Sequence, residues 1–297
     1  MMACFHPLAA WKTADGKVVF RETADSLVSL FLPCGRCNGC RLERARQWSI
    51  RIMHEAHFYE DNSFITLTYR PEAVPPFGSL RYPDFQDFMK ALRHKLGPTR
   101  FFMCGEYGER FQRPHYHAGL FGQAFRADRK FWRTSPAGFK LYRSPTLEAL
   151  WPHGNSEIGD LTRESAAYMA RYTFKKITGQ PAEKHYEAVD FETGEVSGRV
   201  PEFCRMSLKP GIGSRWFDKY GKDVYNFDRV VVKGVAGKPP RYYDTLLERT
   251  DPEKLEQIKF EREERARLGA PDNTDERLAV RETVSNARMR FYRRSHE

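Results

Sequence analysis

Hydrophobic positions recur along this chain with two periods, and the switches between them mark out its elements. Trp48, Ile52, Ala56 and Tyr59 fall four, four and three residues apart with charges between them, the spacing of one helix face. Ser63 to Arg70, SFITLTYR, is short, rich in β-branched and aromatic residues and closed by Pro71, which predicts a buried strand. Phe85, Phe88, Met89, Leu92 and Leu96 return to helical spacing, bracketed by Pro83-Asp84 and Gly97-Pro98. RFFMCGEYG (100–108) and HYHAGLFG (115–122) predict two strands of an antiparallel hairpin. Residues 123–154 keep no clean period and read as an insertion, with a short strand at 155–159. A Thr-x-Glu start opens a helix over 162–176, and 202–208 predicts the last strand.

The predicted order is β, α, β, β, short β, α, β. That order implies an α+β fold: a mostly antiparallel sheet of about five strands, with split β-α-β connectivity and helices packed on it. The expected organisation is an N-terminal cysteine knot and helix (1–61), a central domain (62–210) and an appended C-terminal region (211–297). Residues 1–40 read as irregular and turn-rich. The appended region reads as ending in a charge-laced helix and a mobile tail.

Charge adds a partner class to this picture. The 297-residue chain carries a formal net charge of +10. From Arg241 to Glu297 thirteen Lys/Arg balance thirteen Asp/Glu, so the whole excess lies upstream. A polyanion-binding surface belongs there. Its candidate cations are Arg110, Arg113, Arg126, Arg129, Lys130, Arg133, Lys140 and Arg143. They interleave with Phe125, Phe131, Trp132, Phe139 and Tyr142, the mixture of charge and stacking faces that single strands need. No apolar run approaches the ~18 residues of a membrane span, and MMACFHPLAAWK lacks a signal peptide's basic and apolar regions, so a cytoplasmic location is expected.

Three clusters carry candidate chemistry. His115 and His117 alternate with Tyr116 on a predicted strand, so both imidazoles project to one face. Glu106, near the end of the preceding strand, is the expected third ligand, with Glu109 a less favoured substitute. Two imidazoles and a carboxylate with open positions suit Mn²⁺ or Mg²⁺ that must also take a phosphate oxygen. Tyr168 and Tyr172 lie at i and i+4 on a helix, ~6 Å apart by rise, with Arg171, Lys175 and Lys176 beside them. Cys34, Cys37 and Cys40 form CxxCxxC, and Cys4 is the expected fourth ligand, with His6 as a substitute. Cys₄ zinc is the preferred reading and an iron–sulfur cluster the other. Cys104 and Cys204, each alone in an apolar run, read as small buried hydrophobes.

These motifs together resemble the HUH endonucleases, and more closely the rolling-circle replication initiators of microviruses, especially the gokushovirus branch. FITLTYR (64–70) is similar to the family's first strand motif and RPHYHAGLFG (113–122) to its His-hydrophobic-His strand. YMARYTFKK (168–176) is similar to its two-tyrosine helix, and the N-terminal cysteines followed by RxxxW and a helix are typical of gokushovirus initiators. The resemblance covers most of residues 1–180 and continues to MSLKPGIG (206–213).

It implies a metal held by Glu106, His115 and His117, and tyrosine attack on a scissile phosphate of the viral-sense strand. One tyrosine would stay on the 5′ phosphate until the second rejoins the strand into a circle. Lys175 and Arg171 would help the two phenols, and Arg113, Arg171 and Lys176 would contact DNA. The implied partners are single-stranded and supercoiled origin DNA, a host helicase and a host DNA polymerase, in the cytoplasm of a bacterial host. No GxxxxGK[ST] loop is present, so duplex opening would come from elsewhere. The competing reading is a non-catalytic, zinc-dependent nucleic-acid-binding regulator, which leaves the Tyr/Tyr helix and the Glu/His/His spacing unused. A plasmid relaxase or transposase of the same chemistry would lack the N-terminal cysteines.

Overall fold

A computed structural model describes residues 4–108, 111–171, 181–189, 193–232 and 234–294. In chain order the elements begin with β1 (Leu8–Thr13), β2 (Val18–Val19), β3 (Ser26–Leu32), α1 (Asn38–Ala56), β4 (Asn62–Tyr69), α2 (Tyr82–Leu96), β5 (Arg100–Tyr107) and β6 (Pro114–Phe121). There follow β7 (Lys130–Thr134), β8 (Lys140–Arg143), α3 (Pro145–Leu150), β9 (Gly154–Asp160), α4 (Arg163–Arg171), α5 (Pro181–Tyr186), β10 (Glu187–Val189), β11 (Val196–Gly198) and β12 (Phe203–Met206). The chain continues with α6 (Ser214–Phe227), β13 (Val230–Val232), β14 (Val235–Gly237), α7 (Arg241–Thr250), α8 (Pro252–Leu268) and α9 (Asp275–Arg294). Two compact units result, Met1–Arg44 with Asp251–Glu297, and Ala45–Thr250.

The larger unit is built on a seven-stranded sheet in the order β12-β5-β6-β4-β9-β8-β7. Every pairing in it is antiparallel. The α+β class stands. The sheet is wider than the five expected strands because 130–143 adds a two-stranded ribbon at one edge. Both faces of the sheet's middle are covered, which is why β5 and β6 read as near-continuous apolar runs.

One face buries Ile65, Leu67 and Tyr69 of β4, Met103 of β5 and Tyr116, Ala118 and Leu120 of β6 against Phe85, Phe88, Met89 and Leu92 of α2. Each such fully buried side chain contributes about 1.5–3 kcal/mol. The start of α2 carries Pro83, and its end is closed by Gly97 at φ 91°, whose N–H bonds the Arg93 carbonyl. The opposite face packs Phe102 and Cys104 of β5 and Phe121 of β6 against Ile52 and Ala56 of α1 and Ala166 and Met169 of α4. Glu55, fully buried, ties three segments of this unit together. It accepts from Arg100 Nε at 2.7 Å and from the Gly213 N–H at 2.8 Å.

The smaller unit differs from its sequence reading. Residues 8–32, expected to be irregular, form a three-stranded sheet in the order β2-β1-β3. Of its first strand only Ala10 is buried, so no alternation marks it in sequence. The expected mobile tail is helical through Arg294, with Leu255, Ile258 and Leu278 supplying the buried positions of α8 and α9. Among the described residues no helix is long and apolar enough to cross a membrane.

Candidate active site

The site grows out of strand register. Glu106 on β5 is the direct partner of His115 on β6, and Cys104 is the partner of His117. Because β6 alternates, His115 and His117 share the face on which Glu106 lies, while Tyr116 points into the other core. The Tyr116 hydroxyl accepts from the Arg81 N–H at 2.9 Å and donates to the Arg81 carbonyl at 2.7 Å, anchoring the strand from behind.

Both imidazoles converge on one oxygen. Glu106 Oε1 lies 2.5 Å from His115 Nε2 and 3.2 Å from His117 Nε2. Glu106 and His117 are only 3% and 6% exposed. Burial alone would push the Glu106 carboxyl up, but hydrogen bonds and charge from His115 and His117 hold it down at about 2. The other ring nitrogens are engaged as well: His115 Nδ1 lies 3.1 Å from the Arg113 carbonyl, and His117 Nδ1 lies 2.9 Å from Thr66 Oγ1. A carbonyl only accepts, so His115 Nδ1 carries a hydrogen and Nε2 is left to face the carboxylate.

Two facing imidazole nitrogens and a carboxylate oxygen satisfy one another through shared protons or through a cation set between them. The three ligand atoms lie within 4.8 Å of one another. This donor set fits a divalent ion with open positions, and the Nδ1 partners are the outer supports that such ligands use.

Phe64 and Thr66, both on β4, complete the wall. Thr66 is the strand partner of His117, and the Phe64 ring stacks on the His117 ring at 5.3 Å and 13°. Sequence reading took FITLTYR as a strand without giving these two a role. Their place two residues apart on the face opposite Ile65 and Leu67 was the available signal.

From α4 the Tyr168 ring meets His117 edge-on at 5.2 Å, with Phe64 at 6.1 Å, and is 39% exposed. The helix can sit this close because β6 has a glycine beneath it. A Cβ on Gly119 would lie 3.0 Å from Met169 Cε. Arg171 is exposed at the end of α4, and Arg113 is exposed just before β6. Tyr172, Lys175, Lys176, Glu109 and Arg110 lie outside the described residues.

Of the other candidate DNA contacts, Phe125 is buried, Arg126 is ion-paired with Asp61, and Arg129 packs over Tyr142 at 4.6 Å. Phe131, Trp132 and Phe139 are exposed. Cys104 is fully buried, and burial pushes its thiol well up.

In the smaller unit the sulfurs of Cys4, Cys34, Cys37 and Cys40 gather within 4.8 Å of one another. Cys37 Sγ and Cys4 Sγ are 3.8 Å apart. A tetrahedral site with ~2.3 Å Zn–S bonds has edges of about 3.8 Å. Backbone N–H groups point at these sulfurs, from Phe5 to Cys37 at 3.3 Å and from Cys34 to Cys4 at 3.2 Å. For Cys34, burial works upward, but N–H groups of Cys37 and Arg36 outweigh it and bring the thiol down to about 7, favouring a ligating thiolate. His6, the alternative fourth ligand, instead meets Glu282 at 2.8 Å.

Comparison with known proteins agrees with this geometry. Residues 62–177 match the family model for the replication-associated protein ORF2, an interval that holds Glu106, His115, His117 and Tyr168. The chain is 34% identical to replication-associated protein VP4 of Bdellovibrio phage phiMH2K, over 85% of this chain and 79% of that one. It is 32% identical to replication-associated protein ORF2 of Spiroplasma virus 4, over 90% of this chain and 87% of that one. A further relative, replication-associated protein ORF4 of Chlamydia phage 1, is 26% identical over 73% of this chain and 53% of its own length. No solved structure matches. With motifs, strand register and relatives in agreement, the chain belongs to the microvirus-type, ORF2 family of phage replication-associated proteins.

Proposed function

We propose that this protein initiates rolling-circle replication by nicking the viral-sense strand at the origin and later rejoining it, through phosphotyrosine linkages. The observation that carries the reading is the meeting of Glu106, His115 and His117 at one point, with the Tyr168 ring 5.2 Å from His117.

A phenol with a pKa of about 10 in water is mostly protonated at neutral pH and needs activation to attack a phosphodiester. A bound Mg²⁺ or Mn²⁺ would supply Lewis acidity to the non-bridging phosphate oxygens. Glu106, His115 and His117 hold and orient that charge, and Thr66 and Phe64 keep the His117 ring fixed. Tyr168 presents its phenol from α4, and Tyr172, one turn on, is the second nucleophile. The tyrosine oxygen bonds to phosphorus as the bond to the 3′ oxygen breaks, leaving a 5′-phosphotyrosine and a free 3′-OH. Attack of a 3′-OH on that linkage reverses the exchange and closes the circle. Each linkage conserves the energy of the bond it replaces, so joining needs no nucleotide cofactor. Lys175 and Arg171 are assigned to helping the phenols, and Arg113, Arg171 and Lys176 to the DNA phosphates.

On this reading residues 62–210 carry the chemistry. The Cys4, Cys34, Cys37 and Cys40 knot binds structural zinc, and 211–297 is appended. Priming from the 3′-OH and duplex opening fall to a polymerase and a helicase of the bacterial host, in whose cytoplasm the reaction takes place.

The test is incubation of purified protein with a labelled, origin-like single strand and Mn²⁺ or Mg²⁺. Covalent adducts are expected with wild type and with Tyr168→Phe or Tyr172→Phe alone. None is expected with the double change, with His117→Ala, or with chelator present. An adduct surviving the double change would refute the assignment.

A further inference from the structure

The ribbon formed by β7 and β8 has no use in the chemistry above, and its composition is unusual for the edge of a sheet. All five residues of β7 are exposed, and Phe131 and Trp132 follow one another on it at 59% and 49% exposure. Register slips between Phe131 and Arg133, so Trp132 sits on a bulge. The Arg143 guanidinium lies over the Trp132 ring at 4.3 Å. From Arg129 to Arg143 the chain carries five Lys/Arg and no Asp/Glu. Apolar rings on an edge strand are a liability unless a partner covers them. Here the partner must also be an anion.

Register says which way this surface looks. His117 pairs with Thr66 on β4, and Thr66 pairs with Glu157 on β9, so the three side chains stand in one row on one face. Arg133 reaches over that face to Glu157 Oε1, with Nη2 at 2.8 Å. The ribbon's cations are thereby joined to the histidine face, four strand spacings or about 19 Å from β6. Unpaired bases with a phosphate backbone are the ligand that both needs stacking rings and carries continuous negative charge.

We infer that the β7–β8 ribbon is a single-strand clamp, in which Trp132, backed by Arg143, stacks an unpaired base of the strand whose scissile phosphate lies at the histidine site, while Arg133 and Lys140 hold neighbouring phosphates. The inference rests on the nicking reading for its substrate, but its readout does not. A protein fragment as partner is disfavoured by the ribbon's uniform charge. Duplex DNA would leave the rings without open bases.

The experiment measures binding by fluorescence anisotropy, with full-length protein in chelator, of a labelled mixed-sequence single strand and of the same sequence as duplex. Trp132→Ala is expected to weaken single-strand binding between about five- and a hundredfold, with Trp132→Tyr restoring most of it. Lys140→Glu is expected to lower affinity and reduce the salt slope by about one. Single-strand affinity unchanged in Trp132→Ala would overturn the clamp, as would an equal loss on duplex or failure of Trp132→Tyr to restore binding. Because no metal is present, these outcomes are separate from the adduct test. A wild type that forms no adduct refutes the nicking reading and leaves the clamp to be judged on binding alone.

Discussion

The support that Thr66 gives His117 can be isolated by one substitution. Thr66→Val exchanges a hydroxyl for a methyl on a β-branched strand residue, so β4 keeps its conformation. What is lost is the partner of His117 Nδ1, now 2.9 Å away. As a neutral hydrogen bond that costs the fold about 0.5–1.5 kcal/mol. As an outer support of a metal ligand it is worth more, about 10–100-fold in metal affinity, or about 1.4–2.7 kcal/mol. The expected result is a 10–100-fold higher Mn²⁺ concentration at half-maximal adduct yield, with the plateau preserved. Thr66→Ser keeps an oxygen in place and should stay close to wild type. The assay is a Mn²⁺ titration at fixed, saturating DNA. A Thr66→Val curve that overlays wild type would mean that Phe64 and the strand alone hold the ring, and the reasoning would fail.

Glu55→Ala should cost about 3–5 kcal/mol in urea unfolding, because it strands the Arg100 guanidinium and the Gly213 N–H in the interior; a loss below about 1 kcal/mol would refute this. Gly119→Val drives a side chain against Met169 and should lower adduct yield with stability down by about 1–3 kcal/mol, measured by thermal melts and adduct assay together. His54 is stacked on Trp216 at 3.5 Å, and burial holds its imidazole down at about 3. Between that value and the ordinary ~6.5, an unfolded chain takes up a proton that the folded one refuses, so this contribution is complete above ~6.5 and is lost as pH falls. His54→Phe should therefore flatten the acid side of the stability curve by up to about 1.4 kcal/mol per pH unit, and parallel curves for the two proteins would refute the assignment. Cys34→Ser should remove roughly one zinc per chain in metal analysis of the purified protein, and an unchanged zinc content would exclude Cys34 as a ligand.

The parts of the fold that could be read from sequence are those with a covered face. β4, α2, β5 and β6 bury most of one side or both, so their periods are strong and their boundaries carry Pro or Gly. The Glu106, His115 and His117 convergence follows from strand alternation and one hairpin. What escaped reading has little burial to imprint a pattern: β7 is exposed at every position, and β3 alternates only weakly. The α8 and α9 helices bury few residues and look like charged tail. Thr66 and Phe64 escaped for another reason. Their importance lies in register with a distant strand, which local sequence does not encode.

Tyr116 stands between the two histidines and faces away from them, held at both ends of the Arg81 peptide. Its neighbours on β6 therefore share a single mechanical mount. A disturbance of that mount shifts both imidazoles as one body, retaining their separation while changing their distance from Glu106. An engineer wishing to retune which ion is accepted should work on the spacing between β5 and β6, from the far side of the sheet, and leave the ligands themselves untouched.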